Sequence, residues 1–72
     1  MTKVYSKPSC VQCNATYRAL DAKGNEYEVF DLTEMPEKLE EFKAAGHLQA
    51  PIVVTPEETW TGFRPDLISL YA

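Results

Sequence analysis

The prolines and glycines of this chain fall between its apolar runs and divide the sequence into short strand-like and helix-like segments. The first segment, KVYS, has the residue types of a short strand, and Pro8 marks the end of that strand. The next has one face at helical spacing and closes with Lys23 and Gly24, a cation and a glycine typical of a helix C-terminus. That face consists of Cys13, Thr16, Tyr17 and Leu20. We therefore predict a helix that begins at or just after Cys10.

The rest of the chain continues the alternation. The aromatic and β-branched content of Glu26–Leu32 favours a strand, and Pro36 and Gly46 are typical of the start and end of a second helix. The apolar run Ile52–Val54 predicts a short buried strand, and the tripeptide ETW that follows can pair with it as a hairpin. Pro65 then suits the first turn of a terminal helix.

The predicted order is βαβ, then a helix, then ββα. A crossover through a helix makes two strands parallel and a hairpin makes two strands antiparallel, so the order predicts an α/β fold. We expect a small four-stranded mixed sheet flanked by three helices. With 72 residues, the chain should form a single domain over residues 1–72.

Composition narrows the functional class. The net charge of −4 argues against a nucleic-acid or anionic-membrane surface. The N-terminal MTKVYSKPSC lacks the apolar run of a signal peptide, and no stretch approaches the roughly 20 apolar residues of a membrane span. We expect a cytoplasmic protein without a membrane partner. Nothing in the sequence points to a stable oligomer, and we expect a monomer.

Both cysteines stand at the junction of the first strand and first helix, separated by Val11 and Gln12. In a reducing compartment, such a pair would not remain a permanent structural disulfide. The free N–H groups and dipole of the helix N-terminus would stabilise a thiolate on Cys10. Cys13, one turn further in, should be more buried and close enough to attack a mixed disulfide on Cys10. We predict Cys10 as the nucleophile and Cys13 as the resolving thiol.

Two other interpretations of the pair stay open. The cysteines could be incidental thiols on a helix, or they could bind a metal. A zinc site normally has four ligands, and this chain offers only the two cysteines and His47 besides carboxylates, unless two chains share a site. Dithiol redox chemistry is the favoured interpretation.

Three further positions stand out along the chain. Pro51 precedes the apolar strand, and the sequence does not decide between the cis and trans isomers. A cis bond would expose the backbone of Ala50 beside the thiols, where an extended peptide could pair with it. Trp60, the only tryptophan, is expected in packing more than in binding, and His47 is expected in the packing of a loop.

Three blocks of the sequence together resemble a known family. These are CVQC early in the chain, LQAP before a strand, and WTGFRPD before the last helix. In this order they resemble the NrdH-redoxin family, small relatives of glutaredoxin, over nearly the whole chain. The resemblance implies a thioredoxin fold and a dithiol donor that reduces class Ib ribonucleotide reductase. It also implies that thioredoxin reductase, rather than glutathione, recharges the protein with electrons from NADPH, and that no cofactor is bound.

The resemblance also assigns roles to residues. It makes Cys10 and Cys13 the redox pair and puts Pro51 in the place of a cis-proline beside the active site. The segment from Trp60 to Arg64 matches one thought to hold that region closed and unsuited to glutathione. The expected substrate- or partner-binding residues are Val11, Gln12, Ala50, Pro51, Trp60, Thr61, Gly62 and Phe63.

Two positions depart from the family pattern. Serine is frequent where Thr61 stands, and an aromatic residue is common where His47 stands. The first change keeps the hydroxyl group, whereas the second affects the local packing and a contact with a partner.

Two other functions compete with this expectation. A glutathione-dependent glutaredoxin would have the same fold, but many glutaredoxins carry Pro-Tyr where this chain has Val11 and Gln12. A noncatalytic module would use the cysteines to hold a shared metal. The first would turn over with glutathione, and the second would carry metal and show no turnover linked to NADPH.

Overall fold

The structure, a computed structural model, describes residues 1–72 and contains one sheet of four strands. In chain order the elements are β1 (Thr2–Ser6), α1 (Val11–Lys23), β2 (Tyr27–Asp31), a 3₁₀ helix (Leu32–Glu34), α2 (Pro36–Ala44), β3 (Ile52–Val54), β4 (Thr59–Thr61) and α3 (Pro65–Tyr71). The strands lie in the order β2-β1-β3-β4. The predicted α/β fold with a small mixed sheet and three α-helices is confirmed.

The directions of the strands decide where the connecting loops meet. The first two strands are parallel and joined through α1, whereas β3 runs antiparallel to both of its neighbours. Ile52 at the beginning of β3 therefore pairs with Tyr5 near the end of β1 and with Thr61 at the end of β4. The loops before α1, before β3 and after β4 are brought to the same end of the sheet.

The core consists of two clusters, one on each face of the sheet. Because side chains alternate along a strand, neighbouring residues of β1 and of β3 point to opposite faces. The cluster covered by α1 and α3 consists of Val4, Leu20, Val53, Trp60 and Ile68. The cluster covered by α2 and the 3₁₀ helix consists of Tyr5, Leu32, Phe42 and Ile52. Burial on both faces explains why β3 is a continuous apolar run.

The helix ends follow the residues that predicted them. Gly24 ends α1 in a left-handed conformation (φ 73°), and its N–H donates to the carbonyl of Asp21 at 3.0 Å. Pro36 and Pro65 begin α2 and α3, where the N–H that proline lacks has no partner within the helix. None of the helices combines the length and apolar character needed to cross a membrane.

The structure corrects three strand boundaries. The first strand begins at Thr2, one residue earlier than predicted, and β2 covers Tyr27–Asp31 rather than residues 26–32. The hairpin strand β4 covers Thr59–Thr61 rather than the tripeptide ETW, residues 58–60. The second strand ends where the carboxylate of Asp31 accepts hydrogen bonds from the hydroxyl (2.6 Å) and the backbone N–H (2.8 Å) of Thr33. These bonds turn the chain into the 3₁₀ helix, so Leu32 lies in that helix. They also hold the pKa of the Asp31 carboxyl below its ordinary value.

Candidate active site

Cys10 occupies the N-cap position of α1. Its backbone is extended (φ −103°, ψ 105°), and its Sγ accepts a hydrogen bond from the backbone N–H of Cys13 at 3.0 Å. Ser9 just before it has a positive φ of 58°, so the chain turns sharply between β1 and α1. The N-terminus of a helix favours negative charge through its free N–H groups and its dipole. A thiolate on Cys10 would therefore lie where the helix stabilises it.

Cys10 and Cys13 form a disulfide, with their Cα atoms 5.2 Å apart, so the structure represents the oxidised pair. Their exposure differs. Cys10 is half-buried, whereas Cys13 is only 2% exposed and lies on the buried face of α1. An incoming reactant can reach Cys10 more easily than Cys13, as the spacing of the two residues along the helix predicted.

The loop before β3 borders the same end of the sheet. The peptide bond between Ala50 and Pro51 is cis, which the sequence left open. Pro51 is buried, and Ala50 is partly exposed. Neither backbone polar group of Ala50 has a hydrogen-bond partner within the chain. These two groups are free to pair with the backbone of an extended peptide.

Three consecutive residues after Trp60 are held by hydrogen bonds to two other segments of the chain. Nδ1 of His47 lies 2.7 Å from the hydroxyl of Thr61. The N–H of Gly62 donates to the carbonyl of Pro51 at 2.8 Å, and the N–H of Phe63 donates to Oε1 of Gln12 at 3.1 Å. The loop after β4 is thus connected to the loop before β3 and to the segment between the cysteines.

Comparison with known proteins agrees with this geometry. A family model described as Glutaredoxin matches residues 2–60. The glutaredoxin-like protein NrdH of Escherichia coli K12 is 39% identical over 66 residues, which are 92% of this chain and 82% of that protein. The NrdH of Lactococcus lactis subsp. lactis is 29% identical over the full length of both chains. The solved structure of the E. coli NrdH-redoxin has a TM-score of 0.92 at 38% identity, covering 96% of this chain and 91% of that one.

The chain belongs to the NrdH group of the glutaredoxin family. Its fold is the thioredoxin fold, and it is a thiol–disulfide oxidoreductase whose redox centre is the disulfide of Cys10 and Cys13. The resemblance read from the three sequence blocks is confirmed.

In this NrdH-type chain, Trp60 was expected to bind a partner, but its side chain lies in the core. Its side chain is 4% exposed and belongs to the core cluster under α1 and α3. Its indole packs at an angle to Tyr71, with ring centroids 6.4 Å apart, and Nε1 has no hydrogen-bond partner. In this oxidised form the indole offers almost no surface to a partner, in keeping with the packing role that its position at a turn favoured.

Three exposed apolar side chains lie between the two cysteines, in the loop before β3 and in the loop after β4 of this NrdH-type chain. Val11 is 78% exposed, Leu48 is 69% exposed and Phe63 is 37% exposed. The resemblance placed Val11 and Phe63 among the expected partner-binding residues, whereas Leu48 was not among them. Leu48 lies in the block LQAP, but a leucine in a loop follows no periodic pattern, so the sequence does not show whether its side chain is exposed or packed. The contact between His47 and Thr61 was also not foreseen, because these residues lie 14 positions apart in different elements.

One ion pair lies at the start of α3, directly after the loop that follows β4. Arg64 and Asp66 form a bidentate pair, with Nε and Nη2 of Arg64 donating at 3.2 and 3.0 Å. Mainly through this hydrogen bonding, Arg64 holds the pKa of the Asp66 carboxyl below its ordinary value. No group of three or more His, Cys, Asp and Glu side chains is arranged to hold a metal ion. An open cavity of about 430 Å³ at the start of α2, bordered by Met35 and Lys38, shares no residue with the site.

Proposed function

We propose that this chain is a dithiol electron donor for the large subunit of a class Ib ribonucleotide reductase, and that thioredoxin reductase recharges it. The observation that carries the proposal is the pairing of a half-buried Cys10 at a helix N-terminus with a buried Cys13 one turn away. Two further findings support it. The relatives are NrdH proteins, and the E. coli NrdH-redoxin is described as having a thioredoxin-like activity profile.

The proposed reaction is a thiol–disulfide exchange in two steps. The Cys10 thiolate attacks one sulfur of the partner disulfide, a mixed disulfide forms, and the other partner sulfur leaves as a thiolate that takes up a proton. Cys13 then loses its proton and attacks Sγ of Cys10, which releases the second partner sulfur as a thiol. Two electrons and two protons have passed to the partner, and the chain has returned to the oxidised form.

We assign the binding of the partner to the groups around Cys10. The unpaired backbone of Ala50 would hydrogen-bond an extended segment that carries the disulfide. Val11 and Phe63 would contact apolar side chains on either side of that disulfide. Gln12, Pro51, Thr61 and Gly62 would act indirectly, by holding these groups in place through hydrogen bonds. Gln12 bonds to Phe63, Thr61 to His47, and Gly62 to Pro51.

Regeneration of the dithiol completes the proposal. Two electrons from NADPH would pass through the reductase to the Cys10–Cys13 disulfide, so the chain itself would need no bound cofactor. A dithiol that is regenerated in this way works in a reducing compartment, and we place the protein in the cytoplasm on that ground. The proposed unit is a monomer, with no nucleic acid or membrane among its partners.

A glutathione-dependent glutaredoxin is the second candidate, because the matching family model is that of glutaredoxin. One contact argues for the first proposal. The N–H of Phe63 is already engaged by the side chain of Gln12, which lies between the two cysteines and crosses to the loop after β4. A small peptide that docked at this place would have to displace that side chain.

The test is the oxidation of NADPH by the purified chain with an oxidised protein substrate. One reaction contains thioredoxin reductase, and the other contains glutathione with glutathione reductase. We expect NADPH oxidation in the reaction with thioredoxin reductase and none in the reaction with glutathione. Cys10→Ser and Cys13→Ser should each abolish it. Turnover with glutathione alone would make the chain a glutaredoxin in function. Absence of turnover in both reactions, together with stoichiometric zinc or iron in the purified protein, would favour the metal-binding module.

A further inference from the structure

His47 is the only histidine of the chain, and its ring is fixed from two sides. The backbone N–H of His47 donates to the carbonyl of Phe42 at 2.8 Å, which places the residue directly after the end of α2. Its ring meets the ring of Phe42 edge-on, with centroids 6.1 Å apart. Packing against α2 therefore directs the ring, and Nδ1 lies 2.7 Å from the hydroxyl of Thr61 on β4.

The segment after His47 has few other constraints. Leu48, Gln49 and Ala50 make no hydrogen bond to the rest of the chain through backbone or side chain. The segment is anchored to β4 and the loop after it at its two ends only. One anchor is the contact between His47 and Thr61, and the other is the bond from the Gly62 N–H to the carbonyl of Pro51.

We propose that His47 and Thr61 form a positioning pair that fixes the Leu48–Ala50 segment for protein disulfides. The segment carries an exposed leucine and the unpaired backbone of Ala50, which suit a substrate with apolar side chains and peptide groups next to its disulfide. Neither member of the pair takes part in the exchange of thiols. The threonine hydroxyl can donate or accept, so the contact forms with either nitrogen of the neutral ring protonated.

This proposal depends on the oxidoreductase activity and not on the identity of the reductase that supplies electrons. Loss of the pair should slow the reduction of a protein disulfide, because the segment must then be ordered when the substrate binds. Hydroxyethyl disulfide has neither peptide groups nor large apolar side chains to contact the segment, so its reduction should be unchanged. One net hydrogen bond corresponds to about a two- to tenfold change in the rate constant for the protein substrate.

The experiment uses the chain reduced chemically and freed of reductant, and measures its second-order rate constants with insulin and with hydroxyethyl disulfide. Thr61→Val removes the hydroxyl at nearly constant shape, Thr61→Ser keeps it, and His47→Phe keeps an aromatic ring against Phe42. We expect Thr61→Val and His47→Phe each to slow the reaction with insulin about two- to tenfold, and the double variant to be no slower than either. Thr61→Ser should react like the wild type, and all variants should reduce hydroxyethyl disulfide within about twofold of it.

Several outcomes would overturn the proposal. These are equal losses with insulin and hydroxyethyl disulfide, additive losses in the double variant, a loss in Thr61→Ser as large as in Thr61→Val, or no loss with insulin. If His47→Phe does not fold, the comparison of Thr61→Val with Thr61→Ser decides alone, because both keep a residue of similar size in β4. A wild-type chain that reduces neither disulfide would contradict the oxidoreductase activity itself, which separates the two failures.

Discussion

At the scale of single residues, Gly62 lets the loop after β4 pass close to Gln12, which lies between the two cysteines. Its φ is +84°, a region that residues with a side chain rarely adopt. A Cβ at this position would lie 3.1 Å from Oε1 of Gln12, the atom that accepts the hydrogen bond from Phe63. Glycine at this position thus allows both the turn of the backbone and the contact made by the side chain between the cysteines.

We predict that Gly62→Ala lowers the free energy of unfolding by about 1–2 kcal/mol from the backbone conformation, and by about 1 kcal/mol more because Gln12 must move away from Phe63. Gly24→Ala is the matched control. Gly24 has a φ of +73° and open space around its Cβ position, so only the backbone cost applies. Urea unfolding of the two variants measures the difference. Equal losses in both variants would mean that the contact with Gln12 contributes nothing.

At the scale of elements, the two helices on one face of the sheet are joined at their C-termini by one side chain. Nζ of Lys23, in the last turn of α1, donates to the carbonyls of Ile68 and Ser69 near the end of α3, both at 2.9 Å. The last carbonyls of a helix lack partners within it, and a cation there also interacts favourably with the helix dipole. Lys23 therefore stabilises α3, which has only 7 residues.

Replacing Lys23 with methionine keeps most of the apolar stem and removes the charge. We expect the free energy of unfolding to fall by about 0.5–1.5 kcal/mol, because two carbonyls lose a charged donor. Lys43→Met is the control, since Nζ of Lys43 only faces Glu40 at 3.8 Å on the exposed side of α2. That variant should stay within about 0.5 kcal/mol of the wild type in urea unfolding. A loss in Lys43→Met as large as that in Lys23→Met would contradict this role of Lys23.

At the scale of the whole molecule, local patterns and long-range contacts differ in how far the sequence predicts them. The order of strands and helices follows from Pro36, Gly46 and Pro65, because each acts on the backbone next to it. The position of Cys10 at the start of α1 follows in the same way. The contact between His47 and Thr61 depends instead on the register of β3 with β4, which no local pattern contains.

The same distinction applies to the residues of the candidate site. The motif predicted the redox pair and most of its neighbours in sequence, but not which side chains face outward. The indole of Trp60 lies in the core, whereas Leu48, which no periodic pattern marked, is 69% exposed. The cis bond before Pro51 is likewise a property of the folded chain that the sequence does not decide, because both isomers are compatible with the residues around it.

The most direct test of the proposed mechanism is to trap the mixed disulfide with the oxidised large subunit of a class Ib ribonucleotide reductase. Cys13→Ser leaves Cys10 without its resolving partner, so the first exchange should stop at a covalent complex. We predict that this complex forms with Cys13→Ser, contains Cys10 in the linking disulfide by peptide mass spectrometry, and dissociates with dithiothreitol. The matched variant Cys10→Ser should form none. A complex linked through Cys13 in Cys10→Ser, or no complex with Cys13→Ser, would contradict the mechanism.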